Sequence, residues 1–242
     1  MAPLKEEILL AVYEEFADWS KSINTACEKR CSACCTQNVT ITAVEGEVIH
    51  RFIHKQQRQE WFADRIRQKG ATRRPKLTTN QFAALCLKGE DASPESIGNY
   101  DVCPFLEDDC CSIYEARPFS CRSFASEIRC TPEKPAEIAE HYLSAVTAVM
   151  QIIEHLGQGE YWGNMLDVLG SLCDLPENRV YMDILPASLS DQYRANVVKA
   201  VPSPGFLIPE EDWDQVSGLL SGIFSRRIGD KNIEQILNNE NL

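Results

Sequence analysis

The spacing of apolar positions changes character along the chain and divides it into three stretches. Over residues 4 to 24, Leu4, Ile8, Val12, Phe16, Trp19 and Ile23 recur every three or four positions and predict one amphipathic helix. A second helical stretch opens at Thr42 with Glu45 in capping-box spacing. It carries Val44, Val48, Phe52, Trp61, Phe62 and Ile66 and stops at Gly70, as one long helix or a broken pair. A shorter helix is expected in "TNQFAALCLKG", after Pro75 and before Gly89, with Cys86 on its apolar face.

Between Gly89 and Pro132 the periodicity breaks. Pro94, Gly98, Pro104 and Pro118 prevent long helices, and groups such as "CPFL" and "CSIY" suit turns or brief strands. From Glu133 onward four helical segments follow, "PAEIAEHYLSAVTAVMQIIEHLG", "EYWGNMLDVLGSLC", "SLSDQYRANVVKA" and "PEEDWDQVSGLLSGIFSRRI", and residues 238–242 are expected to fray. The expected fold class is mainly α, a helical domain with an irregular cysteine-rich metal-binding module. Residues 1–130 read as that module with its leading helices. Residues 131–242 read as a helical C-terminal half packed with it as one domain.

Charge narrows the partners. Lys plus Arg number 24 against 36 Asp plus Glu, a formal charge of −12, which repels phosphate backbones and anionic membrane surfaces. Neither nucleic acid nor membrane is expected as a partner. The opening "MAPLKEEILLAVYEEFADW" interrupts its apolar pattern with charges, unlike an export signal or a spanning segment, so a cytoplasmic protein is expected. Eleven cysteines then call for metal binding or redox chemistry, because cytosolic thiol buffers keep ordinary cysteines reduced. Four lie in "CEKRCSACC", residues 27–35, and four more are Cys103, Cys110, Cys111 and Cys121, which reads as two halves of one site.

The second half, "CPFLEDDCCSIYEARPFSCRSF", resembles the C-P-F-L, C-x-I-Y-x-x-R-P and C-R-x-F signature of the YkgJ-like cysteine-cluster family, described as zinc- or iron-chelating and named for a CxxCxxCC motif. The resemblance covers about residues 27–124. It implies Cys31, Cys34 and Cys35 on one side and Cys103, Cys111 and Cys121 on the other as metal ligands, with Cys27 as the first cysteine of the motif. Two departures stand out: the first spacing here is C-x3-C, and Cys110 is a thiol the signature does not require.

Thiolates are soft ligands for zinc or iron, and a C-x-x-C turn lets two sulfurs converge on one ion. Four thiolates on Zn²⁺ leave a net charge of about −2, so Arg117 and Arg122, flanking Cys121, are expected to donate hydrogen bonds to sulfur and offset that charge. Phe105, Leu106, Ile113, Tyr114, Phe119 and Phe124 are expected to form an apolar shell around the site. His50 and His54 have a zinc-compatible spacing, but Arg51, Lys55 and Arg58 beside them suggest a solvated face. Cys86, Cys130 and Cys173 read as incidental thiols, with Cys130 near enough to Cys121 to substitute as a ligand.

The cysteine count accommodates one four-thiolate zinc site, two such sites or one iron-sulfur cluster. No phosphate-binding glycine loop, G-x-S-x-G or H-E-x-x-H appears. Three functions are compatible with this chemistry. The chain is a metal-binding protein, an iron-dependent enzyme modifying a peptide or small molecule, or an interaction module with a purely structural zinc.

Overall fold

The N-terminal stripe folds as α1 (Ala2–Trp19), with Ile8, Leu9, Val12 and Phe16 buried, and ends in a single 3-10 turn before Ile23. The structure is a computed structural model and describes residues 2–28, 30–93, 97–131 and 133–238; Pro94, Pro132 and residues 239–242 lie outside that set. A short strand, β1 (Thr40–Thr42), leads into α2 (Ala43–Lys55), where Thr42 and Glu45 form the expected capping box. The long helical stretch is a broken pair: Gln57 takes a left-handed φ of 55°, and α3 (Gln59–Ile66) starts afresh and ends short of Gly70. Thr78 and Gln81 form a second capping box on α4 (Thr79–Leu87).

The irregular region holds a two-stranded hairpin, β2 (Leu106–Glu107) and β3 (Cys110–Cys111), with Asp108 and Asp109 both left-handed at its tip. That geometry suits a tight two-residue hairpin turn, and Asp tolerates it better than most side chains. A one-turn helix, α5 (Phe119–Arg122), follows Pro118, and then the long α6 (Glu140–Leu156).

"EYWGNMLDVLGSLC", read from its periodicity as one helix, opens instead as β4 (Tyr161–Asn164) before α7 (Met165–Ser171). Asn164 decides the switch. Its side chain caps α7 by accepting from Leu166 N, and its Nδ2 donates to Gln37 O at 2.6 Å. After α8 (Ala187–Arg194), "VVKA" supplies β5 (Val198–Lys199), which closes a three-stranded antiparallel sheet in the order β1-β4-β5. The chain finishes with α9 (Trp213–Ser225), the small hairpin β6 (Arg227–Ile228) and β7 (Lys231–Asn232), and α10 (Ile233–Leu237). The protein is mainly helical, and among the described residues no helix is long and apolar enough to cross a membrane.

Two apolar clusters hold these elements together. One gathers Ile8, Phe16, Val149, Ile152, Val216, Leu220 and Ile233 from α1, α6, α9 and α10, with Phe119 from α5. The other gathers Ile49, Phe62, Leu166 and Leu169 from α2, α3 and α7, and the partly buried Cys103 and Cys111 pack against it together with buried Phe105 and Ile113. Each cluster draws on residues before and after position 130, so the cysteine-bearing loops rest on both.

Candidate metal centre

Residues 27–28 and 30–36 are drawn together by three short-range backbone bonds. Cys31 N donates to Glu28 O at 3.0 Å, Cys35 N to Ser32 O at 2.9 Å, and Thr36 N to Cys34 O at 2.9 Å. Beyond them the chain runs antiparallel to residues 101–103: Cys103 N donates to Cys35 O at 2.9 Å, Thr36 bridges Val102, and Gln37 N donates to Asp101 O at 2.9 Å. Gly98 makes this approach possible, since a Cβ there would lie 2.6 Å from Asn38 Cα and 2.7 Å from Gln37 O. A further tie joins Ser32 Oγ to Asp109 Oδ1 at the hairpin tip, 2.8 Å. The two cysteine clusters, distant in sequence, are thus laid side by side by backbone pairing.

The hairpin carrying Cys111 is fastened from the other side by Glu107. Its carboxylate accepts from Ser112 Oγ at 2.5 Å and Trp61 Nε1 at 2.8 Å and pairs with Arg58 and Arg65. Those hydrogen bonds, followed by the two guanidinium charges, hold its carboxyl down to about 2. Arg58 also stacks on Trp61, 3.7 Å from the ring centroid.

Cys121 is positioned through Glu45. Its Oε1 accepts from Phe119 N at 2.8 Å and from Tyr13 OH at 2.9 Å, and its Oε2 accepts from Thr42 N at 2.9 Å. One buried carboxylate therefore caps α2 and anchors α5 to α1. Ser120 Oγ adds a bond to Thr40 O at 2.9 Å.

The thiols respond to this enclosure. Burial pushes Cys121 well up, and the neighbouring Cys103 and Cys111 add to the effect. Burial likewise raises Cys103 to about 11, with Cys111 contributing, and raises Cys111. The interaction between the Cys34 and Cys35 thiols raises Cys34 and lowers Cys35, while Cys103, Cys111 and Cys121 oppose ionisation of Cys35. Cys35, Cys103, Cys111 and Cys121 thus stand within reach of one another's charge. Crowded, desolvated thiols of this kind give up their protons together only when positive charge binds among them.

The two arginines divide. Arg117 favours ionisation of Cys34, Cys111 and Cys121; its guanidinium lies 3.6 Å over Tyr114, and its Nε is buried with no partner among the described residues. A buried donor left free beside thiols matches a sulfur acceptor. Arg122, expected to do the same, turns to the backbone: Nε donates to Arg117 O and Nη2 to Glu115 O, both at 2.6 Å, and its guanidinium sits 4.8 Å over Tyr13. It holds the loop that carries Arg117. As the side chains stand, no three His, Cys, Asp or Glu residues among those described form a group that could hold an ion, so binding requires the thiols to rotate onto it.

Residues 26–143 match the model of the CxxCxxCC family, described as "Putative zinc- or iron-chelating domain". No curated protein and no solved structure matches the chain.

The CxxCxxCC segment contains all the half-buried thiols described above, and every cysteine of the chain is free. Cys27 and Cys34 are exposed, and Cys31 is half-buried. The expected apolar shell is incomplete: Phe105, Ile113 and Phe119 are buried, but Tyr114 and Phe124 are about half exposed. Phe119 also belongs to the other core, packing against Phe16 at 4.8 Å between centroids. Outside the segment, Cys173 is buried in the second core with its thiol on Leu169 O.

The histidine pair departs from its solvated reading. His50 is buried and donates Nε2–H to Leu169 O at 3.0 Å, and both rings lie against Tyr181. Arg51 and Lys55 lie on other faces of the helix, which is why neighbours in sequence misled. Glu107 carries no signal of its role in the sequence, and Glu45 only that of a cap, since both act through contacts with distant elements.

Proposed function

We propose that the protein chelates zinc or iron through the thiolates of Cys35, Cys103, Cys111 and Cys121, with Arg117 offsetting their charge. What supports this reading is the hydrogen bond from Cys103 N to Cys35 O, which sets the second cysteine stretch beside the first, with Cys103, Cys111 and Cys121 all acting on Cys35. When bound there, the metal ion supplies the positive charge that lets enclosed thiols ionise together and ties the three stretches into one unit. The protein's own part is to present the sulfurs, exclude water with Phe105 and Ile113, and direct Arg117 at them.

Four thiolates close a tetrahedral shell and leave no open position for substrate, so a structural, storage or sensing role is favoured over catalysis. Free thiols throughout suit a reducing compartment, and the cytoplasm is the proposed location. The test is elemental analysis of anaerobically purified protein together with its visible absorption spectrum. Bound zinc without colour supports a thiolate site, and iron with sulfide and a visible band supports a cluster. Reduced protein that neither retains nor takes up zinc or iron would reject the proposal.

A further inference from the structure

The four inner thiols, Cys35, Cys103, Cys111 and Cys121, sit on pieces of chain held with unequal firmness. Cys103 and Cys111 pack against the second apolar cluster, and Glu107 fastens their hairpin to Trp61, Arg58 and Arg65 on α3. Phe119, on the one-turn helix of Cys121, gives its amide to buried Glu45 at 2.8 Å. The chain just before Cys35 has no such support. Among residues 24–28 and 30–36 none is buried. Arg30 takes a left-handed φ of 72°, which a residue with a Cβ adopts only at a cost. Neither core packing nor backbone preference keeps this segment in place.

What keeps it is a series of polar contacts to the pieces of chain that carry the other inner thiols. At its start Ala26 N donates to Ser126 O at 2.7 Å and Glu28 pairs with Arg129 at 3.7 Å, both on the loop that follows Cys121. At its end Cys35 O accepts from Cys103 N at 2.9 Å. Between them Ser32 Oγ donates to Asp109 Oδ1 at 2.8 Å, at the tip of the hairpin that carries Cys111. The segment thus passes along all three pieces, tied at mid-span by one exposed hydrogen bond. Glu107 secures the base of the hairpin, so Asp109 is a fixed post and the segment beside it is the part that can lift.

We propose that residues 30–34 are a strap over the inner thiols, closed by Ser32 and Asp109, whose opening sets how fast a metal ion enters and leaves. This rests on the reading of Cys35, Cys103, Cys111 and Cys121 as the chelating group and adds the control of its exchange. Segments held by few buried contacts and by exposed hydrogen bonds open locally long before the fold does. One side-chain hydrogen bond shifts such an opening about 2- to 10-fold. Because the same opening admits and releases the ion, loss of the bond speeds both directions and leaves affinity unchanged. That separates the strap from Arg117, which acts on affinity.

The experiment uses reduced, full-length protein and zinc. Uptake is followed by stopped flow with a chromogenic zinc indicator, release by transfer to excess chelator, and affinity by competition. Ser32→Ala removes the donor, and Asp109→Gly removes the acceptor while suiting the left-handed φ of 60° at that position. Each is expected to speed uptake and release about 2- to 10-fold, with equal affinity and an unchanged far-ultraviolet circular dichroism spectrum. Ser32→Thr, which keeps the hydroxyl, should retain the wild-type rates, and the double variant should be no faster than the faster single one. Wild-type rates in either Ser32→Ala or Asp109→Gly overturn the strap. Rates that multiply in the double variant show two separate effects and overturn the pairing. A fall in affinity with uptake unchanged makes Ser32 a support of the bound state and overturns the control of exchange. Failure of the wild type to take up zinc defeats the chelation reading and the strap with it.

Discussion

The amide of Cys103 donates to the carbonyl of Cys35 at 2.9 Å, which joins the last thiol of the first cysteine cluster to the first thiol of the second. A backbone bond of this kind does not depend on metal, so the fold sets these two cysteine residues side by side without an ion. Sulfur identity then decides retention. Cys111→Ser and Cys121→Ser are expected to lose most of the inner metal, because a hydroxyl is a harder and poorer ligand than a thiolate. Cys110→Ser, Cys86→Ser and Cys173→Ser should keep nearly all of it. Metal per chain after anaerobic purification checks this, and full occupancy in the Cys111 and Cys121 variants would reject the ligand assignment.

Arg117 and Arg122 should separate by what they change. Arg117→Ala removes the cation that faces Cys34, Cys111 and Cys121, and is expected to weaken metal affinity about 10- to 100-fold with little change in fold. Arg117→Lys should recover part of that loss. Arg122→Ala frees the carbonyls of Glu115 and Arg117, and is expected to cost about 1–3 kcal/mol of stability. Competition with a chelator of known affinity reads the first effect and urea unfolding the second. Equal affinity losses in both alanine variants would show that the two arginines do the same job.

Helix existence and the two cysteine clusters were legible in the chain, because both are local signals: a repeat of three or four positions and a dense run of one residue type. Thr42 with Glu45 announced a cap that the structure contains. What was not legible depended on partners far away in sequence. β4 hides in a helical pattern because Asn164 is committed to Gln37, and Glu45 anchors α5 through Phe119, which no spacing rule could suggest.

His50 gives the protein a pH dependence separate from the thiols. Burial lowers it to about 4 from an ordinary 6.5, so between those values the unfolded chain binds a proton that the folded chain refuses. Stability contributed in this way is complete above about pH 6.5 and is lost as the pH falls toward 4, an effect on the order of 3 kcal/mol. His50→Leu should flatten that part of the curve, even though it leaves Leu169 O without its donor and lowers stability at neutral pH. Urea midpoints of metal-free, reduced wild type and variant at several pH values provide the comparison. Parallel curves between pH 6.5 and 4 would count against a neutral buried His50.

Metal removal should loosen the cysteine loops without melting the helical core. α1, α6, α9 and α10 pack through Ile8, Phe16, Val149, Ile152, Val216, Leu220 and Ile233, a cluster that contains no cysteine. Residues 30–37 and 101–131, in contrast, hold short turns and two-residue strands joined by a few backbone bonds, which the proposed ion would reinforce. In the apo protein the crowded thiols stay protonated and no longer tie the three stretches together, so local opening becomes easier there than elsewhere. Hydrogen exchange on the chelated and zinc-loaded forms is expected to show faster exchange for the amides of Cys103, Cys35 and Gln37 after chelation, with α6 and α9 unchanged. Because Cys103 and Cys111 also pack against the second core, α3 is expected to respond weakly, through the Glu107 clamp. Uniform loss of protection across α6 and α9 would mean that the metal supports the whole fold, and identical exchange in the two forms would mean that it supports none of it.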